Sequence, residues 1–90
     1  MVKASPISIA FGKAVKQERI KKGITQDELA DRCGLHRTYI SRIERGMKNP
    51  SLSVVWEVAT VGLNISLLDL TAVIVRKLEA MQPQKDTNPL

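Results

Sequence analysis

The residues of this 90-residue chain best suited to chemistry lie between Gln26 and Arg45, in the run QDELADRCGLHRTYISRIER. At about 100° per residue, Arg37, Ser41, Arg45, Thr38 and Arg42 share one arc of a helix, and Tyr39, Ile43, Ile40 and Glu44 fill the other. One side is polar or basic and carries three arginines; the other holds both isoleucines. A helix about 10–12 Å across fits the DNA major groove, where a guanidinium can donate two hydrogen bonds to O6 and N7 of guanine. Bond-making chemistry has little support. One cysteine (Cys33) and one histidine (His36) exclude an internal disulfide framework and a zinc cluster, and the five glycines are too scattered for a phosphate loop. No nucleophile–base pair stands out. The chain is therefore expected to be no enzyme, with no catalytic residue, metal, cofactor or small-molecule ligand.

A polar, basic face is what any solvated helix shows, so the residues in front of it matter. Leu29, Ala30, Cys33, Leu35, Ile40 and Ile43 are apolar or small, with Gly34 between them. Ala30 is small where two helices must approach, and Gly34 can adopt the left-handed conformation that lets them cross steeply. Cys33 falls on the apolar side and reads as an inert small hydrophobe.

The flanking elements are announced by local signals. Ser5-Pro6 starts a first helix, with Ile7, Phe11, Ala14 and Val15 at helical spacing until Gly23. Thr25 and Glu28 make a capping box for a second helix reaching about Cys33. A third runs from Arg37 to about Arg45 and is ended by Gly46. Ser51 caps a fourth, from Leu52 to about Val61, and Ser66 with Asp69 caps a fifth that continues to about Gln82. No strand alternation and no internal repeat are present, so the fold class is all-α, a compact five-helix domain. The expected organisation is an N-terminal arm (1–5), a domain (6–82) and a flexible tail (83–90).

With 43% hydrophobic residues the chain can bury one core, and with only 3% aromatics that core is aliphatic. Residues 1–50 carry eleven basic and five acidic side chains, residues 51–90 three and four, so a polyanionic partner suits the first half. No apolar run reaches the roughly 18–20 residues of a membrane span, and the first residues lack a signal peptide's apolar segment. A cytoplasmic location with no membrane partner is expected. The last two helices are apolar on two sides. Val54, Val58 and Val61 lie nearly opposite Leu52 and Trp56 on the fourth, and Leu68, Ala72 and Val75 form a second stripe on the fifth. Trp56 reads as core or dimer contact. A helix apolar on two sides is internal or at an interface, so a twofold homodimer through Val54, Val58, Val61, Leu68, Ala72 and Val75 is expected.

From about Phe11 to Leu70 the sequence resembles the phage-repressor-like (Xre-type) helix-turn-helix family, whose signature FGKAVKQERIKKGITQDELADRCGLHRTYISRIERGMKNPSL closely follows. Within it, LHRTYISRIERG is similar to controller proteins of restriction–modification systems. The resemblance implies a lambda-repressor-like fold and a transcriptional regulator that binds double-stranded DNA as a homodimer on a pseudo-palindromic operator. RNA polymerase is a further candidate partner. It implies base reading by Arg37, Thr38 and Arg42, and contacts to the backbone or a neighbouring base by Tyr39 and Ser41. Gln26 and His36 match phosphate-clamping positions, and Arg45, Lys48 and Asn49 a loop that grips phosphates. Arg19 and Glu44 match a structural ion pair between the first and third helices. A phage or plasmid repressor, or an antitoxin whose C-terminal apolar surface binds a partner protein, shares this pattern. Between Pro50 and Ile65 the chain is one residue longer than the family spacing, with the extra residue near 60–62.

Overall fold

Every helix in this chain begins where a side chain can satisfy a backbone N–H that has no partner within the helix. The computed structural model describes residues 5–81. Ser5 caps α1 (Pro6–Lys22), accepting from the Ser8 amide, with Pro6 pre-set for the first turn. Thr25 caps α2 (Gln26–Cys33) through the Glu28 amide at 3.0 Å, and Glu28 Oε1 returns the bond to Thr25 N at 2.7 Å. His36 caps α3 (Arg37–Glu44), its Nδ1 accepting from Thr38 N at 3.1 Å. Ser51 caps α4 (Leu52–Glu57), and Ser66 caps α5 (Leu67–Met81) through the Asp69 amide at 2.9 Å. The reading of residues 1–4 as an arm, Gln82 as the end of the last helix and 83–90 as a tail lies outside the described residues.

α1 lies across the back of the molecule against α5 and α3, while α2 packs on α3 and on the continuation of α4. Gly34, at φ 67°, closes α2 and turns the chain into α3 within two residues. The innermost side chains are aliphatic: Val15, Leu29, Ile40, Ile43, Val58, Leu63 and Leu70 are all shut off from solvent. Phe11 is the one aromatic that joins them in the buried core.

The fourth helix departs from regular α-geometry. After Glu57 it widens into a π turn over Val58–Gly62, marked by the bond from Leu63 N to the Val58 carbonyl at 2.8 Å. Each i→i+5 bond encloses one more residue than an α-helical bond. This is the form in which a helix would absorb the one-residue surplus expected near 60–62 without a loop. The wider turn is held against α2, where Arg32 Nη1 donates to the Gly62 carbonyl at 3.1 Å. A Cβ on Gly62 would come within 2.6 Å of Leu29 Cδ1 and Cys33 Sγ, so a larger residue there would force those side-chain ends to shift.

Burial along α4 and its π turn also corrects the expected interface. Val58 is wholly buried and has nothing to offer a partner, while Val54 is half-buried against the core. In an uninterrupted α-helix Val61 would lie about 60° from Val58. Here the wider turn swings it outward, and it is exposed. Leu52 (77% exposed) and Trp56 (53%) form the outer side of α4, so Trp56 is no core residue. Among the described residues no single helix is long and apolar enough to cross a membrane; α4 with its π turn and α5 are so only as a pair bent by 111°.

Candidate nucleic-acid interface

Ile40 and Ile43 are completely buried, and they fix which side of α3 can face outward. The helix is also clamped from behind. Gly12 of α1 crosses its last turn so closely that a Cβ there would overlap the Ile43 carbonyl oxygen. A glycine inside a helix costs about 0.5–1 kcal/mol relative to alanine, and this close crossing is what that cost permits. The signal for this crossing is legible in the sequence as a lone glycine amid an otherwise good run of helix formers.

Arg19 and Glu44 provide the second clamp. Arg19 Nε donates to Glu44 Oε2 at 2.6 Å and Nη2 to Oε1 at 3.0 Å, a two-pronged pair between α1 and α3. Arg19 Nη1 donates to the Ile24 carbonyl at 3.0 Å, and Gln26 Nε2 reaches Glu44 Oε1 at 2.9 Å. The Glu44 side chain is 3% exposed and the Arg19 side chain 13%. Hydrogen bonding to Glu44 raises the Arg19 pKa above its ordinary value against the opposing effect of desolvation. The Gln26 side chain is thus turned toward α3, while its backbone N–H stays at the start of α2, where helix geometry favours anions.

With the inward side fixed, Arg37, Thr38, Arg42 and Arg45 are exposed and Ser41 is half-buried at the edge of the same face. The Arg37 guanidinium lies near an acid, Nε standing 3.5 Å from Asp27 Oδ1 across the junction of α2 and α3. Arg45 folds back, Nε donating to the Ser41 carbonyl at 3.4 Å. Thr38 gives its backbone N–H to the His36 cap and leaves its hydroxyl at the surface.

The flanking residues fall around this face in two groups. On one edge His36 presents Nε2 outward because Nδ1 is occupied by the cap. Histidine is not among the preferred N-cap residues, so sequence reasoning missed that structural role. On the other edge Tyr39 is half-buried against the core, and Lys48 Nζ sits 5.4 Å from its ring centroid, a cation–π contact that ties the 47–50 loop to α3. Asn49 Oδ1 accepts from Ser8 Oγ at 2.7 Å, so the Asn49 side chain is anchored to α1. Arg37, Thr38, Arg42, Arg45 and His36 are therefore brought together on one surface, while Gln26 and Asn49 spend part of their polar capacity inside the protein.

Among the described residues no three His, Cys, Asp or Glu side chains converge as a metal site would require. Burial, and then the Glu57 carboxylate, push the Cys33 thiol upward in pKa and so disfavour its reactive thiolate form. The arrangement suits a groove-reading surface: a rigid short helix, arginines in front and hydrogen-bond donors at its edges.

Comparison with known proteins places this geometry in company. A family model described as "Helix-turn-helix" matches residues 15–70. The control protein C.BamHI of Bacillus amyloliquefaciens is 43% identical over 70 residues, covering 74% of this chain and 86% of that protein. The crystal structure of a single-residue variant of the restriction–modification controller protein C.Esp1396I superposes with a TM-score of 0.81 at 26% identity, over 89% of this chain and 100% of that one. The C.Esp1396I tetramer in complex with its natural 35-base-pair operator superposes with a TM-score of 0.77 at 29% identity, over 83% and 97% of the two chains.

Proposed function

The chain belongs to the helix-turn-helix family, and from that premise we propose that it is a sequence-specific, double-stranded-DNA-binding transcriptional regulator acting as a homodimer in the cytoplasm. The operator is a pseudo-palindrome and the functional class is the restriction–modification controller. One observation carries the reading: the isoleucines of α3 are fully buried while Arg37, Thr38 and Arg42 stand exposed on its opposite side. Arg37, Thr38 and Arg42 read base edges. Tyr39, Ser41, Arg45, Lys48, Asn49, His36 and the start of α2 at Gln26 fix register on phosphates or a neighbouring base.

A second copy completes the molecule. Leu68 is 78% exposed, and Ala72 and Val75 continue its row along α5. Val75 also walls an apolar groove with Ile7, Phe11, Val55 and Leu78. Leu52 and Trp56 replace Val58 as the apolar contribution of α4, beside the half-buried Val54. An isologous dimer through these rows sets two copies of α3 about 34 Å apart, one turn of DNA.

The exposed pair Leu52 and Trp56 favours a second reading as well, a regulator whose C-terminal surface holds a different protein, as in an antitoxin or a contact to RNA polymerase. Selection of duplexes from a random pool by the purified chain tests the first reading. A pseudo-palindromic consensus supports it, and recovery of random sequence overturns it. A monomer in sedimentation at tens of micromolar would favour the second.

A further inference from the structure

Of the carboxylates in the first turn of α2 and the last turn of α3, two are already committed. Glu44 is bound by Arg19 and Gln26, and Glu28 closes the capping box of its own helix. Asp27 faces Arg37 instead, Oδ1 to Nε at 3.5 Å, with both side chains more than half exposed. We propose that Asp27 is a specificity-determining positioning residue, holding the Nε edge of Arg37 so that its two terminal nitrogens are presented to a base edge.

Arginine has five N–H donors in a planar fork, divided between a side edge that includes Nε and an end edge formed by the two Nη groups. A carboxylate on Nε leaves the end edge free, and that edge can span O6 and N7 of one guanine. Without the tether, a long cationic side chain in the first turn of α3 has an alternative partner in any nearby phosphate, a contact that carries no sequence information. Asp27 acts on that alternative too. Its negative charge repels the phosphate chain it must stand beside, weakening binding to every sequence alike.

The bland explanation for Asp27 is that a carboxylate in the first turn favours α2 through the helix dipole. It predicts a slight loss of thermal stability on neutralisation and no change in base preference. Positioning predicts two opposite changes in binding, which a loosened fold would not give. This inference rests on the base-reading role proposed above for Arg37.

The test uses the full chain and four variants, Asp27→Asn, Asp27→Glu, Arg37→Ala and the double variant Asp27→Asn with Arg37→Ala, in random-duplex selection and in titration against an unselected duplex. Asp27→Asn should bind the unselected duplex about two- to fivefold more tightly. It should lose about two- to fivefold preference at the base pair where Arg37→Ala loses preference, the scale of a partly exposed ion pair. Asp27→Glu should restore part of that preference, and the double variant should discriminate there no worse than Arg37→Ala alone. Unchanged preference in Asp27→Asn, or additive losses in the double variant, would overturn the proposal while leaving Arg37 as a base reader. A wild-type chain with no duplex preference, or an Arg37→Ala variant with full preference, would remove the base-reading role and the proposal with it.

Discussion

At the scale of single residues, Arg19 and Glu44 show how a charge can matter to DNA recognition without touching DNA. Their pair lies behind α3, and its two ends differ in exposure. Removing Arg19 strands a carboxylate that is 3% exposed, with only Gln26 left to serve it. Removing Glu44 leaves a guanidinium that still donates to the Ile24 carbonyl and can move toward water. Arg19→Ala should therefore cost about 3–5 kcal/mol, and Glu44→Ala less, as read from urea denaturation. Both should weaken binding to all duplexes through loss of fold. Arg42→Ala and Lys48→Ala should behave differently. The first is expected to cost about 1–3 kcal/mol and to relax preference at one base pair, and the second to weaken every duplex similarly. Quantitative titration against a matched set of single-base variants separates the two patterns. Cys33 adds a chemical test: with its pKa raised by burial and Glu57, the thiol should alkylate at neutral pH more slowly in the folded chain than in urea.

At the scale of helices, the close crossing of α1 over α3 makes Gly12 the position least tolerant of a methyl group. Gly12→Ala drives a Cβ into the Ile43 carbonyl, rigid backbone that can yield only if the helices separate. The expected loss is at least about 1–3 kcal/mol. Gly34→Ala meets no atom within 4 Å and suffers only the left-handed backbone penalty, about 1–2 kcal/mol. Thermal melts of the two variants check this order. The contrast also explains what could be read beforehand. Caps such as Ser5, Thr25 with Glu28, Ser51 and Ser66 act within three or four residues, so the chain spells them out locally. The two isoleucines fixed the exposed side of α3 for the same reason. The wheel rightly set Leu52 and Trp56 opposite Val58, but which side of α4 faces outward was not legible because it depends on how the helix packs, and the π turn then parts Val61 from Val58. Nor was the pairing of Gln26 with Glu44, eighteen residues apart, which depends on how α2 and α3 pack.

At the scale of the whole molecule, the proposed function assigns reading to the basic first half and pairing to the apolar second half, and mutation can separate the two. Leu68, at 78% exposed, touches little in one chain, whereas Val58 is wholly enclosed. Leu68→Lys should thus retain its helical circular dichroism yet sediment as a monomer at tens of micromolar. Val58→Ala should instead lower the melting temperature by opening a cavity. Splitting the dimer removes the advantage of two linked half-sites, so operator affinity should fall about 10²–10⁴-fold while preference within a single half-site persists. Salt gives an independent count of the same linkage. If each subunit neutralises about three to five phosphates, the log–log salt slope for the dimer should be about −5 to −9, and about half that for the Leu68→Lys monomer. A Leu68→Lys chain that remained dimeric would move the interface off α5, leaving Leu52 and Trp56 of α4 as the apolar surface that a partner has to cover.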